Sequence, residues 1–390
     1  MYKISKENYP KNPHSIEEYK NALSQNPRPE VLQHVKAVVD GDEGDGLNGS
    51  AVIFFCDSMI ENIRQAQSVA FDGTFWIVPS LFYQLFTIFL INGRHFSPAI
   101  FFLMTGKSQS LYQACFLKIS ELIPEFSPNF AISDFETASR SAFRNVWATA
   151  HISGCFFHFA NAVFRHLKNN GLGNMFKNNQ QFHKWAKALM AVPLLREEDI
   201  RPTVELLLNQ GFEVSPEENS LIQRFRVYFR RQWLIRVSAA ELSVFNESVK
   251  TNNGSESNHA HFKRLIKSHK PNIWSFHKSL NKIIQDSKIN QERIQNGVQV
   301  EARPKLRYLR NEQNRERAKQ RLLSDQYEPL QYLYAVSHGL DTHLINLQNR
   351  NEEMEDNDIM EPEVILVELP EELEQPALVC VVCYGLGMGD

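Results

Sequence analysis

The sequence has 390 residues, of which 43% are hydrophobic and 11% aromatic, and its formal net charge is −3. This length predicts two or three structural units with enough apolar material for a packed core. No run reaches the ~18 apolar residues of a membrane-spanning helix, and five cysteines without regular spacing do not indicate a disulfide framework. We expect a soluble intracellular protein.

The charges are unevenly distributed along the chain. Residues 352–390 carry twelve acidic side chains and no Lys or Arg, which leaves 42 basic against 33 acidic side chains elsewhere. A basic body with an acidic tail suits nucleic-acid binding, because phosphate neutralisation dominates such affinity. Charge alone, however, favours the simpler interpretation of a solvated surface and a disordered end.

The first half of the chain predicts a small α/β core. Residues 1–50 are polar, with a weak helical pattern from Ser15 to Val39. Hydrophobic periodicity then predicts helices over 111–122 and 136–147. Short apolar runs predict strands over 69–75, 83–91, 96–104, 130–133 and 152–157, with the turn pair Asn92-Gly93 between the second and third. Three antiparallel-capable strands, a helix, a strand, a helix and a strand describe the order of an RNase H-like α/β fold.

The second half of the chain is predominantly helical in pattern. We expect the core in residues 51–174, an all-helical insertion over 175–250, the completion of the core over 251–290, and a basic helical extension to 350. Residues 351–390 form the acidic tail, which is expected to be disordered. The insertion carries a basic cluster, Arg224, Arg226, Arg230 and Arg231, that either faces DNA or is a solvated helix face.

Three acidic residues are placed so that their carboxylates are presented. Asp72 lies in an apolar run that reads as a strand, Asp134 lies where a strand ends and a helix begins, and Glu256 opens a later helix. Carboxylates from separate elements make an oxygen site for Mg²⁺ or Mn²⁺. Each residue alone is better explained as a turn or helix-cap residue than as a ligand, with Ser255 as the cap before Glu256. Only their combination favours a site.

Cys155 and His158 form a Cys-x-x-His pair, and Cys380 and Cys383 form a Cys-x-x-Cys pair near the end of the sequence. A structural zinc site needs four ligands. No second pair lies near the first in sequence, so zinc is not expected, and a buried cysteine beside a hydrogen-bonded histidine is the simpler interpretation.

A basic face follows Glu256 on its predicted helix. Its members are His259, Lys263, Arg264 and Lys267, and Lys263 and Lys267 share a face at i, i+4. This face either holds DNA beside a metal-bound phosphate or is simply solvated.

Together these motifs resemble a known family. The matching segments are Phe-Asp-Gly-Thr-Phe (71–75), Tyr-Gln (83–84), Ser-Asp-Phe-Glu (133–136), Gly-Cys-Phe-Phe-His-Phe (154–159) and Thr-Asn-Asn-Gly-Ser-Glu-Ser-Asn-His (251–259). In order and approximate spacing, over roughly residues 50–290, they are similar to the Mutator-like element (MULE) transposase domain. The resemblance implies an RNase H-like core with a helical insertion before the last acidic residue, and Asp72, Asp134 and Glu256 as a DDE triad of metal ligands. It maps Cys155 and His158 onto a Cys-x-x-His signature near that site.

The resemblance implies that two Mg²⁺ or Mn²⁺ ions serve DNA cleavage and strand transfer, with DNA as partner, a nuclear location and a homo-oligomeric assembly. Relatives commonly carry an N-terminal zinc-binding DNA-recognition module, and residues 1–50 contain no cysteine. That departure favours the alternative of a non-catalytic DNA- or chromatin-binding protein that keeps the fold as a scaffold.

Overall fold

The computed structural model describes residues 11–25, 29–41, 49–298, 300 and 306–340. Within these ranges the chain forms a mixed seven-stranded sheet and many helices, which confirms the α/β class. The acidic tail, Cys380 and Cys383 lie outside the described residues. None of the described helices is both long enough and apolar enough to span a membrane.

The sheet has the order β1-β2-β5-β4-β3-β6-β7. Its strands are β1 Val35–Asp40, β2 Ser50–Phe54, β3 Ser68–Thr74, β4 Gln84–Asn92, β5 His95–Met104, β6 Phe130–Ser133 and β7 His151–Gly154. The pairs β1–β2, β2–β5, β5–β4 and β4–β3 are antiparallel, whereas β3–β6 and β6–β7 are parallel.

The described α-helices fall into three groups along the chain. Before and among the strands lie α1 Ile16–Ser24, α2 Pro29–Leu32, α3 Ile60–Arg64, α4 Gln109–Leu122 and α5 Thr137–Val146. The helical region that follows β7 contains α6 Phe156–Leu167, α7 Gly173–Asn178, α8 Gln180–Met190, α9 Glu197–Leu208, α10 Pro216–Arg230 and α11 Ala239–Leu242. The last group is α12 Asn253–Ile266, α13 Ile273–Gln295, α14 Leu306–Leu323 and α15 Pro329–Ser337.

Four predicted strands agree with β3, β4, β5 and β6 to within one residue at each end, but three expectations were wrong. The helical pattern over Ser15–Val39 ends in β1, an edge strand whose residues are only partly buried, so that no alternating pattern marks it. The apolar run 152–157 is a strand only to Gly154, because α6 begins at Phe156. The hairpin turn is also one residue later than expected. Asn92 pairs with His95, so Gly93, at φ 61°, and Arg94 are its central residues.

Helices cover the two faces of the sheet. On one face the Phe71 ring of β3 stacks on Phe143 of α5, with ring centroids 5.0 Å apart. On the other face Phe101 of β5 meets Phe262 of α12 at 6.1 Å. Because side chains alternate along a strand, the residue after Phe71 points toward the α12 face. That residue is Asp72.

The helical region builds an apolar cluster of its own. Buried side chains of α6 to α11 form it together with Leu322 of α14 and Leu333 of α15. The two ends of the region lie side by side. The Phe156 N–H donates to the Lys250 carbonyl at 3.1 Å, and the Asn252 N–H donates to Cys155 Sγ at 3.2 Å.

Candidate active site

Strand register brings two of the three carboxylates together. β3 and β6 run parallel with Ser68 opposite Phe130 and Ala70 opposite Ile132. Continuing this register by two residues brings Asp72 opposite Asp134, which follows directly on β6. Neighbouring strands lie about 4.8 Å apart, so these two acids occupy adjacent positions at the carboxyl ends of parallel strands.

Cys155, which follows β7, lies next to these two positions on the neighbouring strand. β6 and β7 pair with Ser133 opposite Gly154, and the Cys155 N–H donates to the Ser133 carbonyl at 2.8 Å. Cys155 is fully buried as a free thiol, and α6 starts at the next residue. His158 therefore lies in the first turn of α6, beside the ends of β6 and β7.

Close packing fixes where α12 begins. A Cβ atom added to Gly254 would lie 2.2 Å from the Phe96 ring, so only glycine permits this approach to β5. Asn258 donates to the Phe96 carbonyl at 2.9 Å. With the Asn252–Cys155 hydrogen bond, these contacts hold the first turn of α12 against the sheet, and Glu256 lies in that turn.

Two histidines lie between the acidic residues. His259 Nδ1 lies 3.6 Å from Asp72 Oδ2, and the two side chains are 11% and 13% exposed. His158 Nε2 lies 3.9 Å from Glu256 Oε1, with side chains 24% and 47% exposed. The structure thus brings Asp134 and Glu256 within electrostatic range of Asp72, and it places His259 beside Asp72 and His158 beside Glu256.

The electrostatics of this carboxylate cluster show an excess of negative charge. Burial, and then repulsion from Asp134 and Glu256, raise the pKa of Asp72 to about 8, against the opposing effects of His158 and the Gly73 N–H. Burial alone would lower the pKa of His158, but Cys155, Asp72 and Asp134 raise it well above its ordinary value. A buried group with a strongly shifted pKa in such a cluster is typical of functional sites.

The donor set fits a hard divalent cation, because carboxylate oxygens are the ligands that Mg²⁺ and Mn²⁺ prefer. A cation would also relieve the repulsion that raises the pKa of Asp72. Within the described residues, however, no three acidic, His or Cys side chains are close enough together to hold one ion. Glu256 is the most exposed of the three acids, and coordination by all three requires the carboxylates to move closer.

Turn and helix-cap roles explain only part of how the three acidic residues are placed. Asp72 Oδ1 accepts from the Gly73 N–H at 2.9 Å, and Asp134 Oδ1 accepts from the Glu136 N–H at 3.2 Å. Yet α5 is preceded by Glu136 as its N-cap, without a side-chain cap bond. The N-cap of α12 is Asn252 rather than Ser255. Asp72 and Asp134 therefore each accept a local backbone hydrogen bond and also belong to the carboxylate cluster.

A polar chain behind Asp134 was missed by sequence reasoning. Gln84 donates to the Tyr112 hydroxyl at 2.7 Å, which donates to Glu136 Oε2 at 2.9 Å. Burial and then Asp134 raise the pKa of Glu136 to about 7, although Tyr112 opposes this. Gln84 also approaches Gly73, where an added Cβ would lie 2.5 Å from Gln84 Oε1. The Phe-Asp-Gly-Thr-Phe and Tyr-Gln motifs are therefore in contact.

Arg140 was also missed. It is 4% exposed and donates to Ser133 Oγ and to the carbonyls of Asp134, Ile152 and Ser153, which ties the ends of β6 and β7 together. Burial lowers its pKa to about 10. Its position three residues before the apolar Phe143 on the amphipathic α5 was the available signal, since arginine is rarely found on a buried face.

The residues of the predicted DNA-binding face lie in different environments. His259 is buried beside Asp72, whereas Arg264 is exposed. Lys263 lies 6.0 Å from the ring of Trp76, a half-exposed residue that follows β3. Lys267 is not in the helix but is its left-handed C-cap, at φ 58°, so it does not continue the helical face of Lys263.

Comparison with known proteins identifies part of the chain. Residues 68–162 match the sequence model of the MULE transposase domain. This segment includes Asp72, Asp134, Cys155 and His158, whereas Glu256 lies beyond it. No curated protein matches the chain. The match agrees with the resemblance of the motifs, and residues 68–162 are similar to the MULE transposase domain.

Proposed function

We propose that the chain is a MULE transposase-derived protein that cleaves DNA and transfers strands with divalent metal ions, using Asp72, Asp134 and Glu256 as a DDE triad. The observation that supports the proposal is the parallel β3–β6 register, which, continued by two residues, sets Asp72 beside Asp134, while Glu256 of α12 acts electrostatically on Asp72. Three separate elements thus contribute one carboxylate each.

The order of elements supports an RNase H-like core. β3, β4 and β5 are antiparallel neighbours, and β6 and β7 add to β3 in parallel, with α4 and α5 between the later strands. This is the order expected from the sequence, extended on one edge by β2 and β1. The helical region lies in the chain between β7 and the element that carries Glu256.

The three carboxylates would hold the ions, and the histidines would set their charge and orientation. Bound Mg²⁺ or Mn²⁺ supplies activation of an attacking oxygen and charge stabilisation of a leaving oxygen in phosphoryl transfer. Asp134 is oriented by the Glu136 N–H. His158, whose pKa is raised, provides a positive charge beside Glu256. Asp72 must release a proton before it can act as a ligand, so metal affinity should increase as the pH rises toward 8.

A plasmid-nicking assay with Mg²⁺ or Mn²⁺ tests this proposal. We expect the wild-type chain to nick supercoiled DNA, and Asp72→Asn and Glu256→Gln each to reduce the rate about 10²-fold or more, because each removes a charged ligand. Asp57→Asn is the control, since Asp57 is an exposed residue paired with Lys36. Nicking that survives Asp72→Asn would contradict the catalytic proposal.

One observation favours the second candidate, a non-catalytic DNA- or chromatin-binding protein. Among the described residues no three acidic, His or Cys side chains lie close enough together to hold one ion, as suits a fold retained as a scaffold. This candidate predicts DNA binding that weakens steeply with salt and no metal-dependent cleavage. The nicking assay and a salt titration of DNA binding separate the two.

A DNA substrate also leads us to expect an oligomeric assembly and a nuclear location. Strand transfer requires two DNA ends to be held together, so the active form should be a homo-oligomer in the nucleus. Light scattering of the protein with and without a DNA duplex tests the assembly. A protein that remains monomeric on DNA while it transfers strands would contradict it.

A further inference from the structure

A polar pocket lies in the helical region, in sequence far from the carboxylate cluster. It is an open cleft of about 490 Å³ between the α9–α10 connection and one face of α10. Its polar lining comprises Asn209, Gln210, Asn219, Gln223 and Arg226. The last three are spaced at i, i+4 and i+7, so they share one face of α10. We call this the Arg226 pocket.

Arg226 is the exceptional member of the basic cluster on this helix. It is 9% exposed, whereas Arg224 is exposed, and Arg230 pairs with Glu205 through several hydrogen bonds. The guanidinium of Arg226 donates to the Gln210 carbonyl, but its Nε has no partner among the described residues. Burial lowers its pKa, and the positive charge of Arg230 lowers it further.

Within the described ranges no carboxylate forms an ion pair with Arg226. Glu213 lies in the α9–α10 connection, but it is exposed and does not line the pocket. An arginine cannot relieve its burial by losing a proton, since its pKa is too high. A buried charge without a countercharge destabilises a protein, so such a charge beside a cavity indicates that an anion completes it.

The other polar side chains of the lining suit an oxyanion. Asn and Gln side chains each provide two N–H donors, and the guanidinium binds phosphate oxygens in a two-pronged geometry. The volume exceeds that of a bare phosphate and leaves room for a group attached to it. We infer that the Arg226 pocket binds a phosphate group. This inference goes beyond the proposed DNA cleavage and requires neither metal nor catalysis.

Thermal unfolding in inorganic phosphate tests the inference. We expect phosphate to raise the Tm of the full chain saturably, by about 2 °C or more, relative to chloride at matched ionic strength. Arg226→Gln should lose this response. Arg224→Gln should keep it, because it removes the same charge from the exposed side of the same helix. An equal effect of phosphate and chloride on the wild-type chain would overturn the inference.

A second variant serves if Arg226→Gln does not fold. Gln223→Glu places a carboxylate one turn from Arg226 on the pocket wall with little change in shape. It should raise the Tm without added anion and abolish the phosphate response, because the missing countercharge is then supplied internally. A lower Tm together with an unchanged phosphate response would count against the inference.

DNA binding distinguishes the sources of the phosphate. If the group belongs to a DNA backbone, Gln223→Glu should weaken binding of a duplex and reduce its salt dependence by about one counterion. If the group belongs to a small molecule, DNA binding should stay unchanged while the response to inorganic phosphate disappears. Either result supports phosphate binding in the Arg226 pocket, and neither depends on DNA cleavage.

Discussion

The carboxylate cluster on the sheet and Arg226 in the helical region are both buried sites with unbalanced charge, of opposite sign. Asp72 can relieve the imbalance by keeping its proton, which is why its pKa rises to about 8. Arg226 cannot do the same and retains its charge. Thus a buried acid can stay neutral until a cation binds, whereas a buried arginine needs an anion whenever the protein is folded.

Arg140 shows how a buried arginine is satisfied. Four acceptors surround its guanidinium, and Glu241 lies 3.7 Å away. Arg226, with one acceptor, lacks this arrangement. Arg140 is thus satisfied by acceptors of the protein itself, whereas Arg226 has room for a ligand. The following substitutions test this contrast between the two regions.

Arg140→Met should have the largest effect. It leaves acceptors at the ends of β6 and β7 without a donor and Glu241 without its buried partner, so we expect a loss of about 3 kcal/mol in the free energy of unfolding. Urea denaturation measures it. Arg144→Met is the matched control, because Arg144 also pairs with Glu241 but is 42% exposed, and it should cost under about 1 kcal/mol. Equal losses would contradict the special role of burial.

Asp72→Asn should stabilise the metal-free protein, by on the order of 2 kcal/mol at pH 5.5. Between the ordinary pKa and about 8, the folded state holds a proton that the unfolded state has released. The free energy of unfolding of the wild type therefore falls as the pH rises through this window, and the variant should show a flatter profile. Denaturation at a series of pH values between 4 and 9 measures this. Parallel profiles would show that Asp72 is not the titrating group.

Gly73→Ala should have the smallest effect, about 1 kcal/mol, because its Cβ would displace the flexible end of Gln84. The displaced Gln84 would no longer donate to Tyr112. Gly106→Ala is the control, since no atom lies within 4 Å of its added Cβ. In the background of Gln84→Ala the cost of Gly73→Ala should largely vanish. A cost that persists there would place the strain elsewhere.

The sequence predicted the parts of the fold with strong local signals. β4 and β5 are continuous apolar runs around a turn with glycine, and β6 is a short run that ends at Asp134. β1 was missed because its pairing with β2, rather than its own pattern, makes it a strand. The three carboxylates were found through the resemblance of their settings. The residues that support them were not, because the Gln84–Tyr112–Glu136 chain joins β4, α4 and the start of α5, and such contacts leave no local pattern.

The hydrogen bonds that join Phe156 to Lys250 and Cys155 to Asn252 have a consequence for how the chain is organised. They close the whole helical region into a loop whose two ends meet at the core. The entropy lost on closing such a loop grows only with the logarithm of its length. The sheet is therefore nearly indifferent to how many residues lie between these ends. We therefore expect Glu256 to return to the neighbourhood of Asp72 when residues are added to or removed from the helical region.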